Sequence, residues 1–140
     1  MADTFQLEVA TPERLFVDEQ VTSAEVPGKD GYMGILAGHA PLLSALKPGL
    51  LTYSSGASEQ VLAIHGGFVE VFDNHVRVLA DGAERPEDIE TDKARQDLER
   101  ANADLQSAQS EAESTRALEA AQKAQARIDT AERHSGGRAH

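Results

Sequence analysis

The 140-residue sequence has no cysteine, which excludes disulfides, thiolate metal sites and cysteine nucleophiles. No apolar run approaches the 18 or more residues of a membrane span. The first ten residues also lack the basic and apolar regions of a secretory signal, so a soluble protein that stays where it is made is expected. Positive charge is scarce: 13 Lys and Arg face 24 Asp and Glu, for a net charge of −11. Nucleic-acid binders need a positive footprint, so no nucleic-acid partner is expected. Residues 87–135 contain no glycine, proline, Phe or Tyr. All six aromatics (Phe5, Phe16, Tyr32, Tyr53, Phe68 and Phe72) fall in the first 86 residues, with nine glycines and all five prolines.

That split divides the chain into two objects. A stretch of 86 residues is long enough to bury a modest core of its own. Residues 4–9 alternate strictly, with Phe5, Leu7 and Val9 on one side, the period of a half-buried strand. Further short strands are expected at 15–17, 21–26, 32–35, 50–53, 61–64, 68–72 and 76–79. Turn signals such as Pro27-Gly28, Pro48-Gly49 and Ser55-Gly56 separate them. Residues 68–72 and 75–79 flank Asp73-Asn74 as a hairpin with a two-residue turn. Many short strands at this spacing indicate a β-sandwich or barrel.

Asp81-Gly82 closes the last expected strand, and Pro86 with Glu87 and Asp88 is expected to open a helix. Ala94, Leu98, Ala101, Leu105 and Ala108 recur at helical intervals, as do Ala117, Ala121, Ala124, Ile128 and Ala131. With a break within 107–115, the natural arrangement is an antiparallel pair of helices. The domain boundaries expected are 1–86 for the β domain, 87–134 for the two helices and 135–140 for a flexible tail. The apolar stripes are thin: only Ile89, Leu98, Leu105, Leu118 and Ile128 are large and apolar across 87–135. Burying such a side chain stabilises by roughly 1.5–3 kcal/mol, and alanine offers much less area. The helical pair is therefore expected to be able to undock.

Charge is uneven as well. Residues 114–140 carry 5 Lys and Arg against 3 Asp and Glu, the one basic stretch of an acidic chain. No catalytic pattern emerges, and no metal site is expected. His39, His65 and His75 lack metal-ligand spacing, and no Gly-x-Ser-x-Gly is present. Gly66-Gly67 precedes a strand rather than a helix, which suits a tight turn or bulge and not a phosphate cradle.

Gly38-His39-Ala40-Pro41-Leu42-Leu43, followed by Lys47-Pro48-Gly49, mixes apolar residues with turn formers. Together with His65-Gly66-Gly67-Phe68 and the Val78-Leu79-Ala80-Asp81 end of the β segment, it resembles the epsilon subunit of bacterial rotary F-type ATP synthases. The resemblance runs through nearly the whole chain, in order. It implies an all-β sandwich of about ten strands followed by a C-terminal α-helical hairpin. The implied role is that of a non-catalytic central-stalk rotor subunit, with the gamma subunit and the ring of c subunits as partners. It also implies a peripheral location on the cytoplasmic side of the bacterial plasma membrane. By position, Lys29, Asp30, Tyr32, His39, Ala40, Pro41 and Leu42 resemble the surface facing the c-ring. Tyr32 stands where the family often has an acid.

In bacterial family members the helical hairpin extends along gamma and restrains ATP hydrolysis. Arg116, Lys123, Arg127 and Arg133 fit the family's transient inhibitory contact with the catalytic beta subunits. Some members bind ATP at the folded hairpin through an Ile/Leu-Asp-x-x-Arg-Ala motif. Here the motif reads Ile89-Glu90-Thr91-Asp92-Lys93-Ala94, with Glu84, Arg100, Lys123 and Arg127 at the other ligand positions. Lysine lacks the planar fork that arginine offers phosphate, so ATP binding is expected to be weak or absent and no cofactor is required. A free-standing ATP-sensing module is the competing reading, and the altered motif supports it poorly. A small β-sandwich hydrolase would need a nucleophile or metal pattern that the chain lacks.

Overall fold

A computed structural model describes residues 3–138. Eight strands come first: β1 (Phe5–Ala10), β2 (Leu15–Val21), β3 (Ser23–Gly28), β4 (Gly31–Leu36), β5 (Leu42–Ser55), β6 (Ser58–Phe72), β7 (His75–Ala80) and β8 (Ala83–Glu84). A 3-10 turn (Pro86–Asp88) leads to helices α1 (Thr91–Ser107) and α2 (Glu111–Arg138). Neighbouring strands run in the order β2-β1-β7-β6-β5-β3-β4, with β8 paired to β6. The β1–β7 pair is parallel and every other pair is antiparallel.

The sandwich has eight strands rather than about ten because β5 and β6, at 14 and 15 residues, each serve both layers. Residues 67–72 of β6 pair with β7, whereas Ala63 and Ile64 pair with β8. The β5–β6 ladder is interrupted only where Lys47 faces Gly66, between the pairs Leu46–Gly67 and Pro48–His65. Pro48 has no N–H to give the ladder. Gly66 and Gly67 have φ of +89° and +127°. A Cβ on Gly67 would lie 2.1 Å from the Leu79 carbonyl oxygen, so only glycine lets the strand bend here. No strand was expected before residue 50, so the first half of β5 is an addition of the structure.

The alternation of β1 is realised: Phe5, Leu7 and Val9 are buried in one core with Ile35, Leu51, Leu62, Ile64 and Val78. Asp73 and Asn74 adopt φ of 49° and 59°, the doubly positive pair of a tight two-residue hairpin turn. The strand expected at 21–26 breaks at Thr22, whose backbone and hydroxyl both donate to the Ser54 carbonyl. β8 follows Asp81-Gly82, where no further strand was expected; its register on β6 is set by the amide of His65, which donates to the Gly82 carbonyl.

Pro86 begins a 3-10 turn rather than α1, which starts at Thr91 after an extended Ile89 and Glu90. Arg85 anchors this linker by donating to the Phe16 carbonyl at 2.8 Å. The helices break at 108–110, inside the expected interval. Helix α2 continues through Arg138, beyond the expected tail boundary at 135, because each added residue of an established helix gains a hydrogen bond. The rest of the expected tail, 139–140, lies outside the described residues.

The hairpin is docked, with α2 packed on α1 and also on β5 and β6. Ala117, Ala121, Ala124 and Ile128 are buried as expected, but so are Ala126 and Thr130, because α2 has two covered faces. Thr130 satisfies its hydroxyl on the Ala126 carbonyl at 2.7 Å. In α1 only Ala94 and Ala101 are buried, and Leu105 is exposed.

Candidate functional site

Where α2 meets the sandwich, strand β8 presents Glu84 to two donors. Its Oε1 accepts from Nε2 of the buried His65 at 2.7 Å and from Nε of Arg127 at 2.6 Å. The His65 hydrogen bond, with help from Arg127, outweighs burial and holds the Glu84 carboxyl down to about 2. An ionised carboxylate only accepts, so Nε2 of His65 is the donor, while its Nδ1 is buried without a partner among the described residues. Six residues further along α2, Arg133 grips Glu59 at the start of β6 through two parallel bonds of 3.0 Å.

Glu84, Glu90, Lys93, Ala94 and Arg127, all marked by the nucleotide-motif comparison, line one cleft of about 360 Å³ with Asp88 and Asp97. Arg100 and Lys123 line a neighbouring cleft of about 300 Å³ that shares Asp97 and Arg127, and half-buried Ile89 lies in the linker beside them. The fold thus brings the set together, but in an arrangement poorly suited to polyphosphate. Four acids line the first cleft against two cations, and both cations are already paired. Lys93 Nζ sits 3.2 Å from Asp97, and Arg127 is on Glu84.

The residues compared with the c-ring surface do not form one patch. Lys29 and Asp30 turn the chain from β3 into β4, and the Lys29 amide donates to Ala45 beside the β5 bend. His39, Ala40 and Pro41 form the loop at the far end of β4, with Leu42 opening β5. That loop meets the β6–β7 turn, the Gly38 amide donating to Asn74 Oδ1 at 2.9 Å. Six residues of extended chain separate the two ends, about 20 Å. Tyr32, half-exposed on β4, accepts from the Leu50 amide at 3.0 Å and so is tied into the sheet.

Of the basic residues compared with an inhibitory contact, Arg116 is exposed near the tip of the hairpin. Lys123 pairs within α2 with Glu119 at 3.1 Å, while Arg127 and Arg133 are committed to the sandwich.

A surface the sequence reading did not single out lies on the outer face of β5-β6-β7-β1-β2. Cross-strand register aligns Ala45, Phe68, Leu79, Ala10 and Leu15 in one apolar row. Phe68, Leu79 and Leu15 are each 54% exposed. The row beside it is charged: Arg77 lies between Glu8 and Glu70, and Glu8 also accepts from His75 at 3.1 Å. An apolar band rimmed by polar groups marks a partner surface. The available signal was phase, since Phe68 and Leu79 occupy the outward positions of strands whose valines point inward.

Residues 4–86 match the family model described as the β-sandwich domain of the ATP synthase delta/epsilon chain. The ATP synthase epsilon chain of Solibacter usitatus is 48% identical over 133 residues, covering 95% of this chain and 99% of that one. The epsilon chain of Nitratidesulfovibrio vulgaris is 41% identical, covering 91% and 96%. Among solved structures, a chain of the Euglena gracilis mitochondrial ATP synthase assembly of OSCP, F1 and c-ring aligns with a TM-score of 0.80 at 27% identity. That alignment covers 91% of this chain and 81% of that one. A chain of the Tetrahymena thermophila mitochondrial central stalk and c-ring shares the fold, with a TM-score of 0.70 at 13% identity, covering 93% and 98%. The chain belongs to the ATP synthase delta/epsilon family, on the epsilon-chain side.

Proposed function

We propose that the chain works as a non-catalytic rotor subunit in the central stalk of an F-type ATP synthase. It couples the gamma subunit to the c-ring during proton-driven ATP synthesis. The observation that carries this reading is the exposed apolar row of Phe68, Leu79 and Leu15 on a rigid sheet face. A torque-bearing contact needs a preformed, unyielding surface. Unbroken pairing of residues 67–71 of β6 with β5 on one side and β7 on the other supplies one. Gamma is the partner assigned to this face, and the c-ring to the loops at the ends of the sandwich. The location proposed is peripheral, on the cytoplasmic side of a bacterial plasma membrane. The helical hairpin is proposed to restrain ATP hydrolysis when released, through transient contact of its basic residues with the beta subunits.

A free-standing ATP sensor is less well supported, since both cations of the cleft that holds Lys93 and Arg127 are already paired with acids. The test is co-purification of tagged full-length chain with gamma and the c-ring. Phe68→Glu with Leu79→Glu should abolish capture of gamma while leaving the fold intact, because both side chains are largely exposed. Undiminished capture by that variant would remove the apolar row from the interface.

A further inference from the structure

The docked hairpin poses a physical question. Of the buried residues on α2, Ala117, Ala121, Ala124 and Ile128 lie on the face against α1 and only Ala126 and Thr130 on the face against the sandwich, so among the described residues no large aliphatic side chain is fully buried in that seam. Alanine lets helices approach closely but removes little area from water. Two ion pairs nevertheless span the seam, both in the C-terminal half of α2 and about 9 Å apart along it. Glu84 takes Arg127 while held in place by His65, and Glu59 takes Arg133 in a two-pronged grip.

We propose that Glu84–Arg127 and Glu59–Arg133 form a two-point electrostatic latch whose opening releases α2 from the sandwich. His65 is the positioning residue of the first point. It fixes the Glu84 carboxylate from the sandwich side, so that the acceptor is already oriented when Arg127 arrives. The second point needs no such support, because the parallel bonds of the arginine fork orient Glu59 themselves. The latch also makes two roles exclusive. While Arg127 and Arg133 hold the sandwich, they are unavailable to an acidic acceptor elsewhere; an acceptor that captures them must first open the latch. The remaining basic residues of α2, Arg116 and Lys123, take no part in it. The inference concerns the isolated chain and stands or falls independently of the proposed place in a rotary motor.

The test uses full-length protein with spin labels at Ala57→Cys, in the β5–β6 turn, and Ala112→Cys, at the start of α2. Both positions are exposed, and the chain has no native cysteine. Pulsed distance measurements at low salt should give one narrow distribution. Glu59→Gln with Glu84→Gln should add a broad second population and raise the undocked-to-docked ratio roughly tenfold, as expected for two partly exposed ion pairs. Trypsin cleavage after Arg127 and Arg133, sites this variant leaves intact, should accelerate in parallel. High salt should open the unaltered chain in the same direction. Exchanging the partners, as Glu59→Arg with Arg133→Glu, should restore the narrow distribution relative to Glu59→Gln.

An unchanged distance distribution and cleavage rate in the double variant would overturn the latch and leave docking to apolar contact alone. Should Glu84→Gln disturb β8, the Glu59→Gln variant and its charge exchange carry the test. A single-site variant as tightly docked as the unaltered chain would then overturn the proposal.

Discussion

The sandwich and the hairpin are held by different forces. The sandwich buries Phe5, Leu7, Ile35, Leu51, Leu62 and Ile64 to within 1% of complete exclusion from water. Each such side chain contributes roughly 1.5–3 kcal/mol. The hairpin buries alanines, one isoleucine and a threonine, and bridges to the sandwich by charge. Exposed ion pairs are worth only about 0.2–1 kcal/mol each, negligible against the sandwich core but comparable to what alanine burial supplies. One chain therefore combines a frame held by a large apolar core with an arm whose docking rests on small side chains and charge.

The largest loss of stability is expected from the sandwich core. Phe5→Ala should cost about 3–5 kcal/mol in urea or thermal unfolding, since the cavity opens in the middle of a closed core. Leu118→Ala, at the hairpin's half-exposed Leu118, should change global stability by less than about 0.5 kcal/mol. Similar losses from the two would mean that the hairpin and sandwich unfold as one unit.

How far the fold was readable follows the same division. Period-two alternation in β1 and the Asp73-Asn74 turn are local, and the sequence carried both. The union of 42–46 with 49–55 into one β5 was not readable. Pro48-Gly49 looks like a terminator, and only pairing with β6 shows the chain continuing through it. Helical stripes marked the α2 face against α1, but not Ala126 and Thr130, buried by the sandwich on a second face. The motif-bearing residues were found to cluster, yet their mutual pairing was invisible. Glu84 with Arg127 and Glu59 with Arg133 are joined across 43 and 74 residues, and no local pattern reports such a contact.

Acid should act on the arm before the frame. The lowered Glu84 carboxyl contributes stability that is present above its ordinary value of 4.5 and lost as pH falls toward about 2. The largest single contribution to that lowering is the hydrogen bond from His65, which stays with Glu84 when α2 leaves. Only the Arg127 share is linked to docking. Other charged groups around His65 and the seam are Lys29, Lys47 and Asp81 on the sandwich and Glu119 on α2. Between pH 4.5 and 2 the undocked fraction should rise several-fold while the β-sheet circular dichroism persists. Glu84→Gln should flatten the pH dependence of docking. A pH profile unchanged by that substitution would place the titration elsewhere.

The smallest effect on structure should accompany a clear effect on regulation. Among the described residues Arg116 pairs with no sandwich residue, and Lys123 pairs with Glu119 within α2, a contact worth about 0.3–0.5 kcal/mol. Replacing both with alanine removes two charges from the basic stretch but leaves both latch points untouched. Helix propensity survives, since alanine is the best helix former. Docking of the isolated chain, read by trypsin cleavage after Arg133, should stay within a factor of about two of the unaltered protein. In the reconstituted enzyme, ATP hydrolysis should be less restrained and the remaining restraint less dependent on salt, because exposed charges are screened within about 8–10 Å at ordinary ionic strength. Removing Arg127 and Arg133 instead alters two things at once, since it frees the arm and takes charge from it. The Arg116 and Lys123 pair therefore isolates docking into a partner from release by the sandwich. Equal hydrolysis rates with and without the two charges, measured at low salt, would leave Arg116 and Lys123 as solvated surface and confine the function of α2's basic residues to the latch.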